Sequence, residues 1–368
     1  MNSGHQRCIT IDIIRGIGAL LLVVIHSLWM YGADTVQFES SFGVVIHAIG
    51  QGTSAFLITM GFSFAVTPHQ GFGYGLKRAL MILAMGYLMN ALKFIVPIEV
   101  FGTMPESFIN AYGWQSPLSG NQLLYLLLTG DILQMAGISF LLLALIRHWC
   151  HNRFAILGLV IVFIAIGPLL RGARLGIPGV DYVLDLLWGD QWNVYFPVLF
   201  WMPAILIGSY LGMTYKKYHL TDPQILKQML VLGLPCFVIG SGLKYFDIGT
   251  FNDFFHPGPA DIVYSLGVCL CSFSVVCFSV LSLIKINRRV YPVIQYLSQR
   301  TTSIYIIQWT LVCWGMGVIG YKTLNIPQLI ALMPIMIVLT LLIDYLVMKF
   351  IRVLKNGLFA RRVALENT

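Results

Sequence analysis

The chain has 368 residues, 58% of them hydrophobic and 10% charged, with a mean hydropathy of +0.80. A soluble domain carries about a quarter charged residues, so this composition cannot furnish a water-facing surface and excludes a soluble fold. The formal charge of +8 lies in short clusters between apolar segments, a pattern of membrane loops rather than of nucleic-acid binding.

Apolar runs of spanning length fall at 9–31, 43–67, 79–98, 123–146, 154–170, 196–214, 228–243, 261–284, 302–320 and 328–351. The first is interrupted by Asp12 and Arg15 and runs too far for a cleavable signal core, so it is expected to remain as a membrane helix. Most of the 23 Lys and Arg residues collect in loops on the N-terminal side, leaving Lys93, Arg171, Arg174, Lys244 and Lys322 on the other. By the positive-inside rule both termini are cytoplasmic, and ten spans supply the even number this requires. The expected fold is all-α, a polytopic membrane helix bundle of about ten transmembrane helices. It forms one domain over 1–368, multi-pass in a bacterial inner (plasma) membrane.

The loops opposite the termini differ in character. Segments 99–122, 171–195 and 244–260 combine Trp and Tyr with Asp and Glu, residues that stack on sugar rings and accept sugar hydroxyls. An interfacial aromatic belt with ordinary solvated loops explains the same composition. The seven cysteines show no zinc-type spacing with histidines and read as small packing residues, so no metal is expected. Phosphate-binding, dinucleotide-binding and serine-hydrolase signatures do not occur.

Ionisable groups inside a membrane helix cost a few kcal/mol each and are candidates for function. The first helix carries Asp12, Arg15 and His26. Asp12 and Arg15 are three apart and placed to pair. Arg15 and His26, eleven apart, share a face about 16 Å from each other along the axis. On the second helix His47 and Gln51 share a face at a depth similar to His26, so the two histidines are placed to form one site. Asn90 with Lys93, Asp131 with Gln134, and Tyr305 with Gln308 form polar stripes at three-residue spacing; interhelical hydrogen bonding is their plain alternative. Asp344 is expected to bond between helices or to pair with Lys349.

The segment Arg7-Cys-Ile-Thr-Ile-Asp12-Ile-Ile-Arg15-Gly16, with the run ending Val24-Ile-His26, resembles the opening of two groups of transmembrane acyltransferases. These are the heparan-alpha-glucosaminide N-acetyltransferase-like proteins and the acyltransferase-3 proteins. Ser54-Ala-Phe-Leu-Ile-Thr-Met-Gly61 followed by Leu76-Lys-Arg78 is similar to their next block. Gly130-Asp-Ile-Leu-Gln134-Met-Ala-Gly137 resembles the glucosaminide side, and Ser303-Ile-Tyr305-Ile-Ile-Gln308 a late block that usually ends in histidine. Gln308 departs there, which argues against a second catalytic histidine at that place. In the glucosaminide enzymes the catalytic histidine follows the first helix, which makes His47 an alternative to His26.

The resemblance implies transfer of an acetyl or other acyl group from cytosolic acyl-CoA to a sugar or glycoconjugate across the membrane. His26 or His47 would act as general base or acyl carrier. Arg15, Asp12, Lys77 and Arg78 would bind acetyl-CoA, and Gln51, Gln134, Asp131 and Asn90 would face the substrate or its oxyanion. The implied partners are the lipid bilayer, acyl-CoA and a carbohydrate or glycolipid acceptor, with a homodimer as a candidate assembly. The rival reading is a transporter or flippase that uses the polar stripes as a substrate path.

Overall fold

The computed structural model describes residues 7–68 and 71–366, with side chains to Leu354. Among the described residues, ten helices are long and apolar enough to cross a membrane. They are α1 (Ile9–Tyr31), α2 (Ser41–Val66), α3 (Phe72–Val100), α4 (Ile132–Trp149), α5 (Arg153–Leu170), α6 (Val198–Tyr218), α7 (Asp222–Tyr245), α8 (Pro259–Ile286), α9 (Val290–Ile319) and α10 (Ile326–Leu354). The chain is helical with no strand among the described residues. The spans alternate in direction, so α1 begins and α10 ends on one side; the opposite, distal side carries the longer loops.

Helix α6 is the central one, with 83% of its apolar window buried. It lies against α2 through glycine: a Cβ on Gly61 would stand 1.9 Å from the Ile205 carbonyl oxygen, and one on Gly208 equally close to that of Ile58. Only glycine permits such backbone contact, the usual device where lipid supplies no hydrophobic drive between helices. Helices α7 and α8 meet in the same way at Gly240 and Gly267, where a Cβ would press on backbone of Tyr264 and Phe237.

Helix α1 runs parallel to α9. Asp12, Gly16, Ala19, Val23 and His26 recur at four- and three-residue steps, which keeps one stripe facing a neighbour. Along that stripe Asp12 Oδ1 accepts from Ser298 Oγ at 2.7 Å and Asp12 Oδ2 from Tyr291 OH at 3.1 Å. Gly16 abuts Ile294, and Tyr31 OH closes the seam on the Val312 carbonyl at 2.8 Å.

Three breaks shape the distal half. Helix α2 is interrupted at Gln51 and Gly52. The fourth span does not begin at 123: Gly120–Leu127 is a separate short helix, and α4 starts at Ile132 with Asp131 as its N-cap. Helix α3 turns π-helical over Ala91–Val100, with Pro97 inside. Pro97 lacks the N–H that would close an i→i+5 bond on the Leu92 carbonyl. The Trp314 indole donates to that carbonyl instead, at 2.8 Å. The ninth span is also longer than expected, starting at Val290 rather than 302.

Candidate active site

His26 is 4% exposed and sits in the α1–α9 seam. Its ring stacks on Trp309 at 3.9 Å between centroids and meets Tyr305 edge-on at 6.0 Å. Gln308, where a late histidine was expected from the resemblance, reaches His26 Nδ1. Two arrangements are open to the pair: Gln308 Nε2 donating to a bare Nδ1 at 2.7 Å, or Nδ1–H donating to Gln308 Oε1 at 3.1 Å. Only the second leaves a lone pair on Nε2. His26 Nε2 has no hydrogen-bond partner among the described residues.

Beside this ring lies a buried ion pair. Lys93 Nζ is 2.9 Å from Asp131 Oδ2, the two side chains being 2% and 4% exposed. Asp131 Oδ1 also accepts from Tyr305 OH at 2.9 Å and from its own helix at Ile132 N, 2.7 Å. The π-helical turn is what aims Lys93 inward, and its ammonium lies 4.5 Å from the centre of the Trp309 ring. Trp309 is thus held between a cation and the His26 imidazole, a favourable use of an aromatic face.

Asp131 is therefore no free substrate ligand. Its spacing to Gln134, read in the sequence as a polar stripe, is a capping box: Gln134 Oε1 accepts from Asp131 N at 3.2 Å. Asn90 is likewise engaged, donating to the carbonyls of Leu127 and Thr129 at 2.9 and 2.8 Å and so holding the break before α4. Gln134 Nε2 and Asn90 Oδ1 remain buried without partners. Such orphans are costly, and both fit groups that meet a ligand.

His47 is half-buried on α2. The Trp29 indole lies against both, with centroids 5.5 Å from His26 and 6.4 Å from His47. Trp29 Nε1 donates to His47 Nδ1 at 3.3 Å, and His47 Nε2 is buried without a partner. Gln51 lies four residues on, at the helix break, and its side chain is exposed.

On the N-terminal side the expected Asp12–Arg15 pair does not form. Arg7 takes Asp12 instead, through Nε at 2.5 Å and Nη2 at 2.9 Å. With Ser298 and Tyr291 this fills the carboxylate, so Asp12 positions helices rather than offering a ligand contact. Arg15 has no hydrogen-bond or ion-pair partner among the described residues, and lies within electrostatic range of Asp12 as well as of Arg78 and Arg7. Arg78 rests over the Phe140 ring and donates to Tyr74 OH at 3.1 Å, while Lys77 is exposed. Asp344 does not pair with Lys349; it bonds between helices to Arg300, Ser303 and Tyr296.

The distal loops gather two hollows. Tyr112, Trp114, Tyr125 and Trp192 line an open one of about 560 Å³. Of the acidic residues in this loop, Asp181 accepts from Leu175 N at 2.6 Å, and Asp185 holds Arg174 through Oδ2 at 3.0 Å while its Oδ1 is buried without a partner. The second, of about 350 Å³, is enclosed by Gln51, Ser54, Trp201, Lys244, Asn252, Asp253, Phe254 and Asp261 among others. Its Phe254 wall meets Trp29 edge-on at 6.4 Å, one ring away from both histidines.

In the sequence Lys93, Tyr305 and Gln308 read only as members of polar stripes, with no part at the site. Their sequence signal was the placement of three polar groups within otherwise apolar runs, and the helix pairing that joins them lay outside it. Trp29 and Trp309 carried no signal beyond aromatic composition.

A family model described as heparan-alpha-glucosaminide N-acetyltransferase, catalytic, matches residues 7–242. That range holds His26, His47, Lys93, Asp131 and the basic residues of the N-terminal side; the α9 residues that complete the site lie beyond it. No curated protein matches the chain. By a match that covers well over half its length, the chain belongs to the heparan-alpha-glucosaminide N-acetyltransferase catalytic-domain family.

Proposed function

We propose that the protein transfers an acetyl or other acyl group from acyl-CoA to an amine or hydroxyl of a sugar or glycoconjugate, with His26 as the reacting side chain. Family membership supports a membrane acetyltransferase. The observation that carries the choice of residue is the clamp on His26: Gln308 fixes Nδ1 while Trp309 fixes the ring plane. A general base needs such orientation.

In the Nδ1–H arrangement, His26 Nε2 takes the proton from the acceptor as its nitrogen or oxygen attacks the thioester carbonyl. The C–S bond then breaks, and the imidazolium returns the proton to the departing thiolate. Gln134 Nε2 and the Trp29–His47 pair are the polar groups closest in character to an oxyanion donor. Attack by His26 Nε2 on the thioester, to give an acyl-imidazole, is the covalent form of the same chemistry. Asp12 is left out of the donor site because Arg7, Ser298 and Tyr291 consume it. Arg15, with Arg78 and Lys77 near the same end, is the cation group suited to the phosphates of an extended donor. The donor would enter from the side that bears the termini, the cytoplasm in this reading, in a plasma membrane.

The test uses purified full-length protein in detergent with acetyl-CoA and a panel of sugars, following free thiol release and labelled acceptor. His26→Ala is expected to reduce turnover by about 10²–10⁴-fold, and His47→Ala by far less. Substrate movement into liposomes without any acyl-CoA turnover would overturn the proposal in favour of a transporter.

A further inference from the structure

The 350 Å³ distal cavity contains two carboxylates, Asp253 and Asp261, which at first sight suit a cationic or hydroxyl-rich ligand. Their hydrogen bonds say otherwise. Asp261 Oδ1 takes Lys244 Nζ and Thr250 Oγ1, and its Oδ2 takes Phe251 N at 2.8 Å and Gly258 N at 3.1 Å. Asp253 Oδ1 takes Phe255 N at 2.9 Å and His256 N at 3.2 Å, and its Oδ2 takes His256 Nδ1 at 2.9 Å and Arg171 Nη2 at 3.4 Å. A carboxylate offers about four lone-pair sites, so both are filled from within the fold.

What remains for a ligand is donors. Lys244 uses one of its three N–H bonds on Asp261. The Thr250 hydroxyl, whose shorter contact is to Asp261, lies 3.3 Å from Asn252 Oδ1, and the Asn252 NH2 has no partner among the described residues. The Gln51 amide has no side-chain bond among them, and Ser54 and Ser265 share a single hydrogen bond at 2.9 Å. Trp201, Phe254 and Tyr264 supply flat apolar walls. The cavity reaches from the distal ends of α7 and α8 down to Leu266 and Ala204, roughly two helical turns by the rise per residue. Beside the lining residue Lys244, at the distal end of α7, Tyr245, Phe246 and Ile248 form an apolar rim, 84%, 70% and 56% exposed.

We infer that this cavity is a binding site for an oxyanion-bearing polyol, with a phosphate or carboxylate on Lys244 and Asn252 and the ring against Trp201 and Phe254. The charged group can belong to a soluble sugar acid or sugar phosphate, or to the headgroup of a membrane lipid reached across the apolar rim. That the cavity presents the acceptor to His26 rests on the transferase reading. Its preference for an oxyanion does not, because it follows from the N–H donors that Lys244 and Asn252 keep free of the fold. Lys244, Asn252 and Asp261 lie beyond the family match, so this selectivity belongs to the chain's own C-terminal part.

The test measures binding without any acyl-CoA, as thermal stabilisation of the full chain titrated with glucosamine 6-phosphate, glucuronate and glucose. A parallel arm compares phosphatidylcholine nanodiscs with and without phosphatidylinositol. The anionic probes are expected to bind about tenfold more tightly than glucose, the worth of one charge-assisted contact. The advantage should shrink with rising salt.

Lys244→Gln removes the cation, and Asn252→Asp keeps the acceptor oxygen while replacing the donor by negative charge. Each should abolish the preference while glucose binding and the unliganded melting point persist in Asn252→Asp. Stabilisation by phosphatidylinositol alone assigns the site to a lipid headgroup; stabilisation by the soluble probes alone assigns it to a free sugar anion. Equal binding of glucose and the anions, or a preference that survives both substitutions, overturns the inference. Anion preference without acyl transfer would remove the transferase reading and leave this site standing; transfer without the preference would do the reverse.

Discussion

Replacing Lys93 by Met strips a buried carboxylate of its counter-ion. At 2.9 Å and an effective dielectric constant of about 20, the Coulomb attraction within the pair is roughly 6 kcal/mol. Desolvation of two ions offsets most of that, so the pair as a whole adds little stability. Removal of one partner is different, because the other charge stays buried; that costs about 3–5 kcal/mol. Lys93→Met and Asp131→Asn should therefore each destabilise strongly. In the double variant the amide that replaces the carboxylate retains an acceptor oxygen for Ile132 N and Tyr305 OH, and no charge is left, so most of the loss should be recovered. A double-mutant cycle by reversible unfolding in mixed detergent micelles measures this, with an expected coupling above about 2 kcal/mol. If the double variant loses the sum of the two single losses, the pair is not coupled and the account of the π-helical turn as a device for aiming Lys93 fails.

Gln308→Leu removes the group that orients His26 and is expected to lower kcat by about 10²-fold with KM little changed, whereas Gln308→Glu, which favours Nδ1–H, should retain more activity. Gly61→Ala forces a methyl against the Ile205 carbonyl and should cost at least about 1–3 kcal/mol, read as a lower melting point in detergent; an unchanged melting point would show that α2 and α6 do not approach as closely. Asp253, in the distal loop, is pushed up by burial, but the backbone N–H and ring of His256 outweigh this and hold it below its ordinary value. Its contribution to stability is thus complete above the unfolded value of about 3.9 and lost as pH falls through the lower folded value. Asp253→Asn should accordingly lower stability at neutral pH and flatten the acid limb of a stability–pH curve.

The number of spans and their approximate limits were legible because twenty or so apolar residues in a row admit few other structures. Errors came where polar backbone groups are satisfied by distant parts of the chain. The break before α4 lay hidden because residues 123–131 are apolar enough to continue a helix, yet Gly130 N bonds to the Asn193 carbonyl at 2.7 Å and Tyr195 N to that of Gly130 at 2.8 Å. That exchange with a loop more than sixty residues on leaves no trace in local periodicity. The start of α9 was missed for the opposite reason. Arg300, Ser298 and Tyr296 look like loop residues until they are seen to meet Asp344 and Asp12.

The same distinction runs through the site. Spacing along one helix says which residues share a face, but in a membrane it does not say which of several polar groups will neutralise a charge. Asp12 had Arg15 three residues away and took Arg7 and α9 instead; Asp344 had Lys349 and took Arg300. Both choices follow one rule: a buried carboxylate needs several donors at once, and residues on a second helix supply them more fully than one cation on the next turn. Under that rule the informative group is the ionisable residue that the fold declines to satisfy. Arg15 is such a residue at one end of α1 and His26, held only through Nδ1, is another near the other end. Asp12 and Asp131, equally suspicious in the sequence, are consumed by the fold, and that is what separates them from the residues left to act on a ligand.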